Sequence, residues 1–550
     1  MSAGARPAEA APGTAGTRRV TEPVVRSNPV PVPCPARVAG AGQWYRAQPA
    51  TAEEWRAHAA GVREAFASRD WLGALAPAIA ASGAARARLD RVAAEGGVVV
   101  TSGQQAGLFG GPIYTWNKAL TALALADAHE RATGVPTAPV FWAATYDADF
   151  AEAAVTHVAV GPDVERLAMD PPAFAHRAMR DTPLGDVHAL AAALRRAAGA
   201  GADPDVLATV EACYARDATV GGAFVALLRA LLEPLGIAVL DAGHPAVRAA
   251  MRPLMERALG AAAAVDAAVA ARDAALAEAG CTPTVSSVRG LTLVFGVAHA
   301  ERRRVPLTRA AEAAAGALGE LEPNVLLRPV AERAILPTVA YAAGPAERAY
   351  FAQSGAVADA LGVALPVVVP RWSGVILEPH VRRILARYAV DPDELRDPHA
   401  VAGRLTRERV PEGVTAALAR LRGGLDAALD ALGREAPAAA GDPPLLGPRV
   451  LEGARRDLAH RVDRLERRVV AAEKRRSAAL LRDLDTARAA LVPLGQPQER
   501  VLNLVPLLAR HGRALLHAML DRAREHASAL IPHPRAEPAA APHAQRVDRA

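Results

Sequence analysis

Residues whose types and spacing could do chemistry gather in three short stretches of this chain. The first, residues 98–112, reads VVVTSGQQAGLFGGP: four β-favouring residues run into a loop with four glycines and a closing proline. A strand feeding a glycine loop that opens a helix is how backbone N–H groups and the positive helix end are aimed at an anion, phosphate above all. Gly103, Gly107, Gly110 and Gly111 permit positive φ angles and let a ligand approach without a Cβ in the way. The spacing is neither GxGxxG nor GxxxxGK[ST], so neither the dinucleotide nor the P-loop motif is present, and a tight structural turn stands as the alternative. Tyr114 and Lys118 lie on the helix that Pro112 opens, on neighbouring faces from which both could lean back toward the loop. For Lys118 the alternative is a solvated lysine.

The second stretch is TYDADF, residues 145–150. Asp147 and Asp149 follow the carboxyl end of an expected parallel strand, which is where open α/β sheets bind their ligands. Carboxylates there could hold a substrate amine, bind Mg²⁺ or act as a general base. The competing role is capping the next helix. The third stretch is PNVLLRPVAERAILPTVAYAAGPAERAYFAQ. Arg328 and Glu332 are polar groups close to expected sheet, Tyr341 ends a strand, and Gly344 with Pro345 restarts a helix in the grammar of the first loop. Glu347 in that helix's first turn either compensates the helix dipole or forms the second wall of the same cleft. The fifteen histidines form no HxH or HExxH pair, so no zinc site is expected.

The elements that must position these groups follow from apolar periodicity. Residues 98–101 and 139–144 are too short and too apolar for anything but buried strands, and Trp116, Leu120, Leu123 and Ala124 repeat on one face of the helix between them, a right-handed β-α-β unit. Residues 237–241, 338–341 and 365–370 supply further buried strands, and 285–307 a hairpin around the arginine-rich turn 301–304. Residues 52–94 suggest two packed helices. Val414, Leu418, Leu421, Leu425, Ala428 and Leu432, then Leu451, Leu458, Val462, Leu465, Val469 and Ala472, alternate steps of three and four as coiled-coil seams do. The proline-rich loop between them reverses the chain. The expected boundaries are a disordered tail over 1–38, core over 39–160, a helical insertion over 161–235, core again over 236–378, the coiled-coil region over 379–495, helices returning to the core over 496–531, and a second disordered tail over 532–550.

Composition narrows the class of protein. In 550 residues half are apolar and 22% are charged, the profile of a globular protein. A net charge of +6 is small and spread along the chain, which argues against a nucleic-acid partner. No apolar run approaches the length of a membrane span, and the start lacks the features of a secretory signal. Cys34, Cys213 and Cys281 are far apart and form no CxxC, which points to unpaired structural thiols in a reducing, cytoplasmic setting. Only two of the 64 basic residues are lysines, so Lys118 marks a place where a compact ammonium is used instead of a guanidinium.

GQQAGLFGGPIYTWNKA, PVFWAATYDADF, the third stretch with VVVPRWS, and QERVLN together resemble the bacillithiol biosynthesis cysteine-adding enzyme family, in order over roughly residues 85–510. The resemblance implies an α/β fold with a Rossmann-like parallel-sheet core similar to class I nucleotidyltransferases, a helical connective insertion, and a long antiparallel coiled-coil hairpin that forms a homodimer. It implies a ligase that makes a carbon–nitrogen amide bond between L-cysteine and the amine of glucosaminyl-malate, the last step of bacillithiol biosynthesis, with ATP or ADP as the nucleotide and Mg²⁺ as its companion. On that basis Asp147, Asp149 and Lys118 are the candidate catalytic residues. Gly103, Gln104, Gln105, Gly107, Gly111, Tyr114, Arg328, Tyr341, Gly344 and Glu347 are candidates for holding the nucleotide. The chain departs from the family pattern at Gly110, where Thr is usual, and at Tyr146 and Ala148, where Glu and His are usual. A divergent class I-like nucleotidyl or aminoacyl transferase acting on another amine, and a non-enzymatic coiled-coil scaffold, remain the alternatives.

Overall fold

The computed structural model describes residues 22–38, 40–171, 177–298, 301–317, 319–435 and 446–532. Its strands are β1 (Val24–Ser27), β2 (Val98–Gln105), β3 (Thr137–Ala144), β4 (Val155–Val160), β5 (Asp163–Ala168), β6 (Ala238–Asp241), β7 (Leu291–Ala298), β8 (Glu301–Pro306), β9 (Glu320–Pro323), β10 (Thr338–Ala343), β11 (Val367–Pro370) and β12 (Gly374–Leu377). The expected buried strands form one parallel sheet in the order β11-β10-β2-β3-β6. Alternate residues serve opposite faces: Val98 and Val100 enter one hydrophobic core while Val99 enters the other, and Phe141 and Trp142 divide in the same way. A sheet covered on both faces needs apolar residues at every position, which is why these segments read as continuous runs.

Chain order fixes where this sheet opens. From β2 the chain winds outward to β3 and β6, then returns to lay β10 and β11 on the other side of β2. The direction of winding therefore switches between β2 and β10, and a crevice forms at their carboxyl ends. Helix Ile113–Thr133 crosses one face and is buried along almost its whole length, between the sheet and helix Ala514–Leu530. It ends at Gly134, whose φ of 73° is left-handed.

Several expectations need correction. Residues 22–38 are not a tail: β1 pairs antiparallel with β12, because Val25 finds a place in the core beside Ile376. Residues 1–21 and 533–550 lie outside the described residues. This ordering brings Cys34 to Cys281, with Cα atoms 5.7 Å apart, as a disulfide, so cysteine usage no longer argues for a reducing compartment. Cys213 alone is unpaired. The region 52–94 holds three helices, Ala52–Phe66, Trp71–Ile79 and Gly83–Ala94, because Asp70 caps the second separately. The insertion opens on a β4–β5 hairpin before its helices, and the β7–β8 hairpin gains β9 as a third antiparallel strand. Strand β2 runs four residues beyond the expected end at Thr101, because a Cβ on Gly103 would stand 2.7 Å from the Trp142 carbonyl oxygen and glycine alone lets the neighbouring strand close in.

Helices Glu412–Glu435 and Pro448–Arg476 pack against each other and are laced by Arg422–Asp463 at 2.7 Å and Arg455–Asp426 at 3.0 Å. The loop between them, 436–445, lies outside the described residues. Helices Val505–His511 and Ala514–Leu530 return to the core as expected. Among the described residues no helix is long and apolar enough to cross a membrane.

His129, fully buried on helix Ile113–Thr133, has Nδ1 2.8 Å from Thr137 Oγ1 and packs edge-on against Trp55. Burial lowers its pKa to about 4. A histidine depressed in the folded state favours folding above its unfolded pKa and withdraws that support as pH falls. His129 alone is therefore expected to remove about 2 kcal/mol of stability between pH 7 and pH 5. Urea unfolding at both pH values checks this, since His129→Gln should flatten the slope.

Candidate active site

The crevice between β2 and β10 is a cavity of about 560 Å³. Its floor is the carboxyl ends of β2 and β10, one wall is helix Ile113–Thr133, and the opposite wall is the three-stranded β8-β7-β9 sheet. Gly103, Gln104, Gln105, Tyr114, Lys118, Asp147, Arg328, Tyr341, Gly344 and Glu347, all expected at the site, line it together. Residues more than 240 positions apart in sequence thus meet at one place.

Lys118 does not reach into this space as a free amine. Its three N–H donors are committed, at 2.8 Å each, to the Gly103 carbonyl, Gln104 Oε1 and Glu347 Oε2. Burial lowers the Lys118 pKa, partly offset by Glu347. Burial also works against the Glu347 carboxylate, but Lys118 and Arg328 more than offset it and hold it below the usual carboxylate range. Glu347 is further held by Tyr341 Oη, which donates at 2.7 Å, and by the Gly344 N–H at 2.7 Å. The latter bond closes the first turn of helix Pro345–Ala360, so Glu347 is both dipole partner and cleft wall. Arg328 donates to Tyr350 Oη at 2.9 Å and Tyr341 Oη at 3.2 Å, and pairs with buried Glu332 at 2.9 Å. A continuous polar chain from Glu332 to Gly103 thereby ties β10, its following helix and β2 into one rigid floor.

The two aspartates part company. Asp147 accepts from Gln105 Nε2 and, at 2.7 Å, from the Ala148 N–H, and faces Arg302 at 3.7 Å. Asp149 is exposed, is absent from the cavity lining, and caps the turn Phe150–Ala153 by accepting from Glu152 N–H at 3.0 Å. The capping role prevails because that turn starts at once, and the carboxylate it delivers to the cleft is Glu152.

The glycine loop also differs from a phosphate cradle. Gly110 and Gly111 have φ of 84° and 71°, but both are buried. The Gly110 N–H bonds to Gly107 O and Tyr214 Oη, each at 3.1 Å, and Gly111 N–H to Leu108 O. Asn503 Nδ2 donates to the carbonyls of Leu108, Phe109 and Gly111 at 3.0–3.3 Å. The amides of Gly110 and Gly111 are thus spent inside the protein, and these two glycines serve tight turning. A Cβ on Gly110 would meet Trp116 at 2.6 Å, which accounts for glycine there in this chain. Gly107 and Gly111 line a second cavity of about 320 Å³ that shares Gln104, Gln105, Tyr114, Glu152 and Arg500 with the main one. The site is therefore a main lobe and a smaller neighbouring lobe that share these five residues.

Sequence reasoning missed Arg302, Arg304, Glu152 and Arg500. Arg302 lies 3.9 Å from the Phe295 ring centroid and 5.5 Å from that of Tyr146, pairs with buried Glu322 at 2.9 Å, and presents with Arg304 a cationic wall. Residues 301–304, expected as a turn, form the start of β8 because they pair with β7, and the two-residue spacing of Arg302 and Arg304 puts both on one face. Tyr146, at a departure from the family pattern, packs its buried ring beneath Arg302. Among the described residues no group of three or more His, Cys, Asp or Glu side chains is placed to hold a metal ion.

Residues 38–372 match the bacillithiol biosynthesis BshC N-terminal Rossmann-like domain, and residues 374–529 match the BshC C-terminal coiled-coil domain. Relatives that carry the name "Putative cysteine ligase BshC" include the following three. That of Solibacter usitatus is 32% identical over 460 residues, 79% of this chain and 84% of its own. That of Koribacter versatilis is 31% identical over 468 residues, 81% and 85% of the two chains. That of Thermus thermophilus is 32% identical over 441 residues, 76% and 85%.

Proposed function

Since the chain belongs to the bacillithiol biosynthesis BshC family, we propose that it joins the carboxylate of L-cysteine to the amine of glucosaminyl-malate as an amide, the last step of bacillithiol formation. The observation that carries this is the cleft at the switch point of the sheet, with a smaller neighbouring lobe that shares five of its lining residues. Amide formation from a free carboxylate is uphill in water, so the carboxylate must first be activated. ATP, when bound, supplies the phosphoryl or adenylyl group for that activation. The residues present suit a polyanion: Arg302 and Arg304 form a cationic wall, and the aromatic faces of Tyr114 and Phe295 stand beside the same space. No residues are assigned to Mg²⁺. The rigid Lys118–Glu347–Arg328 floor would hold reactants in register, and the β8 arginines would neutralise charge on the leaving group. A cytoplasmic location belongs to the same proposal.

The test is incubation of the full chain with cysteine, glucosaminyl-malate and ATP. The expected result is a thiol product of bacillithiol mass, with nucleotide cleavage in equal amount. Folded protein that yields no such product with any nucleotide would overturn the proposal. Tyr146 and Ala148 support a second reading, transfer to a different amine. Cells lacking the protein but with unchanged bacillithiol would favour it.

The coiled-coil region supports a homodimer. Val414, Leu421, Leu432 and Leu465, all on the expected seams, remain 37–46% exposed, so the two helices alone do not cover their apolar faces. Excision of 414–472 is expected to yield a monomer, and light scattering that still reports a dimer would contradict it.

A further inference from the structure

We propose that Glu152 is the general base that takes the proton from the attacking amine. The inference rests on the ligase reading above and goes beyond it by naming the group that moves the proton. Three carboxylates line the main lobe: Asp147, Glu347 and Glu152. Two of them are engaged. Glu347 is bound by Lys118, Tyr341 and the Gly344 N–H, and Asp147 by Gln105 and the Ala148 N–H with Arg302 beyond. A carboxylate whose lone pairs already accept hydrogen bonds is a poor proton acceptor. Among the described residues the Glu152 carboxylate has no hydrogen-bond or ion-pair partner.

Its position fits the task. Glu152 lines both lobes and so borders reactants held in either, and Arg500, which lines both as well, is likewise without a hydrogen-bond or ion-pair partner among the described residues. The Asp149 cap fixes the turn that carries it. The charged and titratable groups around it are Asp149, Asp147, Lys118, Tyr114 and Arg500, with His157, whose pKa burial lowers, on the wall of the smaller lobe. Glu152 is an exposed residue, yet partial desolvation in the cleft, then Asp149 and Asp147, raise its pKa above the ordinary carboxylate value, while Lys118 works in the opposite direction. In the step itself the neutral amine's lone pair forms the C–N bond to the activated cysteinyl carbon. The bond from that carbon to the phosphate oxygen breaks, its electron pair leaving with the phosphate or nucleotide, and Glu152 accepts the proton that the nitrogen sheds.

The experiment compares the full-length chain with its Glu152→Gln and Glu152→Asp variants in the ligation assay across pH, with thermal unfolding of each. The expected result is a loss of kcat of about 100-fold or more in Glu152→Gln with KM and melting temperature little changed. Glu152→Asp should recover part of that loss. The wild-type rate should rise with pH as the base ionises, and this acid limb should vanish in Glu152→Gln, which a merely structural role would not produce. A wild-type chain that ligates while Glu152→Gln keeps kcat within three-fold, or keeps the acid limb, overturns the inference alone. A wild-type chain that forms no amide overturns the ligase reading and the inference with it.

Discussion

Replacement of Lys118 by alanine is expected to destabilise the protein by about 3 kcal/mol, because it removes the ion-pair partner of the buried Glu347 carboxylate and leaves Arg328 as its remaining counter-charge. The side chains of Lys118 and Glu347 are only 7% and 13% exposed, so water cannot take the place of the lost ammonium. The Gly103 carbonyl and Gln104 Oε1 lose a donor at the same time. Activity should fall as well, through collapse of the floor and not through loss of a group that touches the reacting atoms. The double variant Lys118→Met/Glu347→Gln removes both charges and should regain much of the stability while staying inactive. Urea unfolding measures both, and a Lys118→Ala midpoint equal to wild type would show the pair to be dispensable.

Asn503→Asp is expected to have an effect of similar size, about 3 kcal/mol or more, since a buried carboxylate would replace an N–H₂ group facing three carbonyls. Asn503 is 2% exposed, and its amide also reaches Thr156 Oγ1 at 3.2 Å while its Oδ1 accepts from the Val505 N–H. Through these bonds the segment after Glu499 holds the glycine loop in its turn. The sign with pH is definite: the introduced carboxyl is stabilised in its protonated form, so its folded pKa is raised, and the destabilisation should shrink on acidification and grow as pH rises. Unfolding midpoints at pH 5 and pH 8 read this out, and a deficit independent of pH would mean that the loop is held by something else. Activity should drop with the loop, because Gly107 and Gly111 shape the smaller lobe.

Both expectations come from contacts that link distant parts of the chain, and this marks the limit of what residue patterns reveal. The parallel sheet was legible because strands buried on two faces must be apolar throughout, as in PVFWAA, and the β-α-β rule then leaves little freedom of topology. The placement of Asp147 just past a strand and of Glu347 in the first turn of the next helix followed from the same rule, although β10 runs two residues beyond the expected end at Tyr341. The coiled-coil seams were legible from spacing alone. The tail assigned to residues 22–38 was not, because Val25 and Cys34 are isolated among prolines and show their partners only when β12 and the end of helix Ala262–Glu278 are in place.

Sequence by itself determined the fold class and the neighbourhood of the site, since local periodicity and chain connectivity are one-dimensional facts, whereas the switch point needed the order of the strands. Only tertiary structure decided which polar groups in that neighbourhood are free. Lys118 proved to be a strut, Asp149 a cap and the glycine loop a closed turn, whereas Glu152 and Arg500 line the cavity unpaired among the described residues and Arg302 lines it while bound to Glu322. The physical reason is that a side chain's availability depends on its hydrogen-bond partners, and these are contributed by residues tens to hundreds of positions away.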